Sequence, residues 1–276
     1  MKVQKDTFLI GVQADRVADI GVLGANGEKI IIDTDYNKYK HTTQIGTVIA
    51  CPIQITQQYK NDTEIKEGDI VVFHHFVCQP DHFFAENVYR AEYFHLYAKI
   101  ENEKLMALED AIFVESILEP EENMFAGKFR IKPAQEKLKQ QGIVFAASKQ
   151  ARALGVLEGD KIFFSPNADY QIKVIDKELY RMRIRNIIAV ERAGRLVCLH
   201  DRVLAKQIGH KNKSGIFVDV KKSHEMIGNI IQVGKNVNGV KAGQKISYYN
   251  SAAGPIEWNE ETWISLELRN INYIIE

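Results

Sequence analysis

The chain has 276 residues, 45% of them apolar and 26% charged, which is the composition of a folded globular chain rather than a disordered or fibrous one. Its 36 Lys and Arg balance 36 Asp and Glu, so no excess of positive charge points to nucleic acid as a partner. Three scattered cysteines without a CxxC, no apolar run of about 18 residues and no signal-peptide pattern set three expectations: a reducing cytoplasmic setting, no membrane attachment and no disulfide framework.

In chain order, the first distinctive segment is GVLGANGEKIIID (21–33), where three glycines precede Ile30, Ile31 and Ile32. It reads either as a loose loop with an apolar tip or as an ordinary buried strand ending in a turn. The strand GTVIAC (46–51) follows, then IKEGDIVVF (65–73), in which Gly68 turns the chain into an apolar strand. HHFVCQPDH (74–82) groups three histidines with Cys78. If that strand continues, His74 and Cys78 share a face but stand about 13 Å apart at 3.3 Å per residue, too far for one ion, so no metal site is expected.

The segment HFFAENVYRAEYFHLYAKI (82–100) is the likeliest helix, and PAQEKLKQQ (133–141) is a second, shorter one. LEDAIFVES (108–116) reads as the strand that closes the first unit, with EPEENMF (119–125) as a polar linker after it. GIVFAA (142–147) reads as the counterpart of GTVIAC with a shortened loop before it, in preference to a match with SGIFV of the last unit, and VLEGDKIFF (156–164) repeats the glycine turn at Gly159. MRIRNIIAVE (182–191) closes the middle unit, and Ala193–Gly194 reads as another short linker.

The last unit opens with LHDRVLAKQ (199–207), alternating like a strand, and runs into a lysine-rich loop ending in bare apolar residues, KSGIFV (213–218). GNIIQV (228–233), VKAGQKISY (240–248) with Gly243, and LELRNINYII (266–275) complete it. Gly159 to Ile187 and Gly243 to Ile271 are both separated by 28 positions, so the chain repeats itself. The fold class expected is therefore all-β: three tandem small β-barrels with few short helices, over residues 1–118, 119–192 and 193–276. Trp258 and Trp263 read as packing residues.

This order of segments resembles the GroES-type co-chaperonin family (chaperonin-10-like), here as three tandem diverged copies. The third unit carries most of the likeness through LHDRVLAKQ, KSGIFV, GNIIQVG, VKAGQKISYY and RNINYIIE, and the first through IGTVIACP and IKEGDIVVF. The resemblance implies GroES-like barrels, each projecting a mobile loop whose apolar tripeptide docks on a GroEL-type chaperonin ring. Here that tripeptide is Ile216, Phe217 and Val218 after Gly215, with Ile30, Ile31 and Ile32 as the first unit's candidate. The residues 216–218 also read as a plain core strand.

The same resemblance implies a non-enzymatic protein without cofactor of its own, which assists ATP-dependent folding by capping the ring and assembles as a homo-oligomer. Three fused copies cannot fill a sevenfold ring evenly, and the segment rich in Phe, Tyr and His in the first unit is an insertion, irregularities that fit a phage-borne or accessory version. The alternative is a structural or virion assembly protein that keeps the barrels without binding a chaperonin. A dinucleotide-binding enzyme is disfavoured because GVLGANG has the wrong glycine spacing, and no GxSxG, Walker loop or HExxH occurs.

Overall fold

The computed structural model describes residues 5–12, 22–23, 29–30, 44–56, 65–118, 124–126, 129–131, 138–165, 170–208, 225–249 and 254–275. Over these residues the chain is all-β and forms three tandem small barrel-like antiparallel sheets. Two compact units result: residues 1–139, 144–158 and 169–184 form one, and residues 140–143, 159–168 and 185–276 the other.

The first set of strands is Thr7–Gly11 (β1), Val22–Leu23 (β2), Lys29–Ile30 (β3), Ile45–Ala50 (β4), Ile70–Phe73 (β5), Phe83–Ala85 (β6), Val88–Glu92 (β7), Leu96–Glu101 (β8) and Lys104–Ala107 (β9). The second set comprises Ala111–Leu118 (β10), Met124–Ala126 (β11), Phe129–Ile131 (β12), Leu138–Ala147 (β13), Lys161–Phe164 (β14), Tyr170–Val174 (β15), Lys177–Arg183 (β16), Ile187–Arg192 (β17) and Arg195–Cys198 (β18). The third holds Arg202–Gln207 (β19), Glu225–Val233 (β20), Lys245–Tyr249 (β21), Gly254–Trp258 (β22), Glu261–Glu267 (β23) and Ile271–Ile275 (β24).

The three sheets share one plan. The first runs β6-β7-β1-β4-β5-β8-β9, the second β15-β16-β10-β13-β14-β17-β18 and the third β22-β23-β19-β20-β21-β24. Strand β13 belongs to both units, its residues 140–143 to the second and the rest to the first. Period-two alternation places one face of each strand inward: in β4, Gly46, Val48 and Ala50 are buried while Thr47 and Ile49 are exposed.

The repeated glycine turns are real and have a backbone cause. Gly68, Gly159 and Gly243 have φ of 88°, 84° and 89°, a region that penalises any side chain. In two of the turns the same bonds recur: Gly68 N–H donates to the Val48 carbonyl at 2.8 Å and Gly243 N–H to the Ile230 carbonyl at 2.8 Å. Further along, each third strand slips register against its closing strand, at Val72/Phe73, Phe163/Phe164 and Ser247/Tyr248. A short 3-10 turn precedes each closing strand: Tyr93–His95, Ile184–Asn186 and Leu268–Asn270.

GIVFAA takes the place expected for it, since Gly142 pairs with Ile162 as Gly46 pairs with Val71 and Gly228 with Ile246. Four other expectations are corrected. LEDAIFVES does not close the first sheet: β10 pairs with β16 and opens the second, and β8 is the first sheet's closing strand. Ala193–Gly194 is no linker but the turn of the β17–β18 hairpin, with both residues at positive φ.

The stretch 82–100 is not a helix. Asn87, at φ 56°, turns the chain between β6 and β7, so an apolar spacing that could suit a helix serves a hairpin. In PAQEKLKQQ, residues 138–141 are part of β13. The α-helix that does form among the described residues is Lys149–Ala153, whose Ser148 cap accepts a hydrogen bond from the Ala151 N–H at 3.2 Å. The expected divisions fall at the end of β10 (118/119) and the end of β17 (192/193).

Among the described residues, four apolar clusters hold these sheets. Phe8, Ile10, Val48, Val71, Phe73 and Tyr93 lie inside the first barrel, and Val203, Ala205, Ile230, Ile246, Tyr248 and Leu266 inside the third. A further cluster within the first unit joins Val72 and Ala98 to Phe113, Ile172 and Leu179. Its counterpart in the second unit joins Phe163 and Ala189 to Leu204, Ile256 and Trp263.

Candidate functional site

Each sheet places one long connection between its first and second strand. In the third sheet, β19 and β20 pair from Val203↔Val233 to Gln207↔Gly228, and the Ile208 N–H then donates to the Ile227 carbonyl at 2.9 Å. The two feet of the connection 209–224 are thereby held side by side. Gly215, Ile216, Phe217 and Val218 are in that connection and outside the described residues.

The first sheet repeats the arrangement. Gly11 of β1 pairs with Thr47 of β4, and the connection between them carries the small hairpin β2–β3, in which Val22 pairs with Ile30. Ile30 thus ends a strand, while Ile31 and Ile32 lie outside the described residues.

The third such connection escaped sequence reasoning. Between β10 and β13, part of the stretch read as a linker forms the hairpin β11–β12, with Met124↔Ile131, Phe125↔Arg130 and Ala126↔Phe129. Its signal was present in the likeness of LEDAIFVES to LHDRVLAKQ, which marks residues 119–137 as the equivalent of 208–224.

Tight packing fixes the feet. A Cβ on Gly46 would lie 2.6 Å from Ile10 Cγ2 and 2.7 Å from the Gly11 carbonyl oxygen; one on Gly228 would lie 3.2 Å from the Lys206 carbonyl oxygen. At Gly46 only glycine lets the two strands approach this closely, and at Gly228 a side chain would require its neighbours to give by a few tenths of an ångström. Beside the third connection, Lys206 Nζ reaches Glu261 Oε2 at 2.6 Å, and the Trp263 indole N–H donates to the same carboxylate oxygen at 3.0 Å. The hydrogen bonds from Lys206 and Trp263 hold the Glu261 carboxyl below its ordinary range.

The His/Cys segment has a different form from the one expected. His75–Cys78 is a 3-10 turn capped by His74, whose Nδ1 accepts from the Phe76 N–H at 3.1 Å. His75 Nδ1 lies 2.6 Å from the Tyr170 hydroxyl, and the His82 and His95 rings are 5.5 Å apart, nearly perpendicular. Among the described residues no group of three or more His, Cys, Asp or Glu is placed to hold a metal ion. Burial pushes the Cys78 thiol up to about 11 and the Cys198 thiol up to about 12, so both stay protonated and neither is poised as a nucleophile. Trp258 and Trp263 meet edge to face at 5.2 Å, with Trp263 buried in the cluster that joins the second and third strand sets.

Barrel-like sheets with one glycine-pinned connection after the first strand fit a family model described as chaperonin 10 kDa subunit, which matches residues 104–191 and 195–275. The chain belongs to the chaperonin 10 family. No individual curated protein matches it. The first match opens at β9 and the second at β18, so each family unit begins with a strand that pairs into the sheet before it, β9 on β8 and β18 on β17. A chaperonin as the kind of partner comes with the family. No helix among the described residues is long and apolar enough to cross a membrane.

Proposed function

We propose that the protein is a non-enzymatic co-chaperonin that docks on a GroEL-type chaperonin ring through Ile216, Phe217 and Val218, caps the ring and so assists ATP-dependent folding in the cytoplasm. The observation that carries this reading is the connection 209–224, whose two feet are the paired neighbouring strands β19 and β20 of a chaperonin 10 sheet and whose sequence bears Ile216, Phe217 and Val218 between lysines. ATP is bound by the ring, not by this chain.

A short apolar tripeptide buries little area, so a single docking event is weak. Presenting several connections on one body raises the effective concentration of each after the first has bound. The connection 12–43, with Ile30 to Ile32, is the first barrel's candidate for a second docking element.

The test is ATP-dependent co-elution with the chaperonin ring of the host, comparing the intact chain with one carrying Ile216→Ser, Phe217→Ser and Val218→Ser together. Binding by the intact chain and its loss in the triple variant supports docking. Equal retention of both chains removes those three residues as the docking element. No binding by the intact chain removes the function and leaves an assembly role for the barrels.

A further inference from the structure

The first and second strand sets are tied by a polar clasp as well as by apolar packing. After β5 the chain makes the 3-10 turn His75–Cys78, and the first residue of that turn meets Tyr170, the first residue of β15. His75 is 3% exposed. Its backbone N–H, at 3.2 Å, and its Nδ1, at 2.6 Å, both lie on the Tyr170 hydroxyl oxygen. The His74 ring stacks on the same phenol at 5.1 Å, and the Tyr97 ring meets it edge to face at 5.9 Å.

The backbone N–H of His75 can only donate, so the Tyr170 oxygen accepts from it. The arrangement that gives the hydroxyl proton a partner at this contact is O–H to Nδ1, which requires that nitrogen bare and the imidazole neutral. Whichever nitrogen carries the first proton, a second one puts a charge where water scarcely reaches.

The surroundings of the clasp do not welcome that charge. Arg181 is the cross-strand partner of Tyr170, and its guanidinium carbon lies 4.0 Å from the Tyr97 ring centroid. The Asp110 carboxylate already serves Arg181 at 3.6 Å and Arg183 at 3.8 Å. On the other side, the His95 ring is 6.1 Å from that of His74 and 5.5 Å from that of His82. Cys78, at the end of the turn, keeps its proton because burial pushes its thiol up to about 11. Asp81, Arg90 and Glu92, on the neighbouring turn and on β7, are exposed. A proton taken up by His75 therefore adds to a site that is already basic.

The matching contact between the second and third sets is built from other parts. Ser165 follows β14 as His74 follows β5, and each donates its backbone N–H at 2.9 Å to the carbonyl before the closing strand, Asn186 and His95 respectively. The pair Tyr170↔Arg181 lies two positions from Ile172↔Leu179, and Gly254↔Ser265 lies two positions from Ile256↔Trp263. Ser165, Gly254 and Ser265 thus stand at the places of His74, Tyr170 and Arg181. The cluster there is Phe163, Ala189, Leu204, Ile256 and Trp263, side chains that take up no proton in acid.

We propose that His75 and Tyr170 form a proton-operated clasp, which opens as pH falls through the imidazole range and loosens the first strand set from the second, while the second stays packed on the third. An opened clasp takes up a proton near the ordinary imidazole value of about 6.5, and the closed one resists it. Opening is therefore constant above that value and grows as pH falls below it. The clasp acts on this one contact, independently of chaperonin docking and of the overall stability of the fold.

Hydrogen exchange read by mass spectrometry on the intact chain at pH 7.5 and pH 5.5, corrected for the intrinsic pH dependence of exchange, tests this. Residues 74–82 and 170–183 are expected to open about tenfold more at the lower pH, the effect of one proton, with residues 254–267 unchanged. His75→Gln is neutral at both pH values and its amide oxygen still accepts from Tyr170, so its clasp segments are expected to exchange alike at both. Tyr170→Phe removes the bond outright and is expected to exchange faster already at pH 7.5. His95→Phe leaves the clasp in place and is expected to keep the response. Circular dichroism checks the fold of each variant, and the two clasp variants perturb it from opposite sides, so one that fails to fold leaves the other. Clasp segments of the intact chain that ignore pH overturn the proposal. So does a response that spreads equally to residues 254–267, that survives His75→Gln, or that His95→Phe abolishes.

Discussion

The guanidinium carbon of Arg181 lies 4.0 Å from the ring centroid of Tyr97, joining β16 of the second strand set to β8 of the first. Both side chains are almost out of water, and Asp110 approaches the same guanidinium at 3.6 Å. A desolvated cation over an aromatic face is worth about 2 kcal/mol.

Arg181→Ala is therefore expected to lower stability by about 2 kcal/mol, read as a shift of the urea midpoint. Arg181→Lys keeps the charge over the ring but loses the planar stack, and should fall between the two. An unchanged midpoint for the alanine variant would show that the pair contributes nothing to the packing of the two strand sets.

Acid sensitivity centres on His95. Burial pushes its imidazole down from the ordinary 6.5 to about 4, helped by the neighbouring His82. Phe94, His74 and His82 surround the ring, and its Nδ1 is buried without a hydrogen-bond partner in the described structure.

Because the folded value lies below the unfolded one, the unfolded chain binds the proton more readily. The stabilisation is complete above about pH 6.5 and is lost as pH falls from there toward about 4. The ring is part-exposed, so the loss is about 1–2 kcal/mol rather than the full worth of the shift. Urea unfolding at pH 7.5 and pH 5 measures it, and His95→Phe should flatten that part of the pH dependence.

Two glycines of the first barrel should respond differently to the same change. An added methyl on Gly46 meets Ile10 and the Gly11 carbonyl at under 3 Å, so Gly46→Ala must spread β1 from β4 and is expected to lose about 3 kcal/mol. Gly68→Ala meets nothing within 4 Å and suffers only from its φ of 88°, a loss of about 1 kcal/mol. Thermal unfolding of the two variants ranks them. Equal melting temperatures would mean that β1 and β4 can part without loss.

The features legible in the sequence are those with local causes. Gly68, Gly159 and Gly243 announced three turns because a left-handed backbone position selects glycine whatever surrounds it. The alternation of LHDRVLAKQ and of GTVIAC announced strands for the same reason, and their order was enough to suggest the family. The helix expected over 82–100 failed on one residue, Asn87, whose left-handed conformation turned an ambiguous apolar run into a hairpin.

The role of LEDAIFVES was settled by its partner. Its alternation is the same whether it closes one sheet or opens the next, and only its pairing with Lys177–Arg183 assigns it to the second. The hairpin at 124–131 was hidden with it, since its place as a connection depends on that assignment. The clusters that join successive strand sets were beyond reach for a further reason: Phe163 and Trp263 lie far apart in sequence, and nothing local to either marks them as members of one cluster.

The sequence by itself thus determined the strands, their turns and the threefold repetition, because backbone sterics and period-two burial act over a few residues. Tertiary structure alone decided which strand belongs to which sheet, where the connections stand, and which faces the sets bury against each other. Those depend on contacts between residues distant in the chain, such as Val72 with Phe113 in one cluster and Phe163 with Trp263 in another.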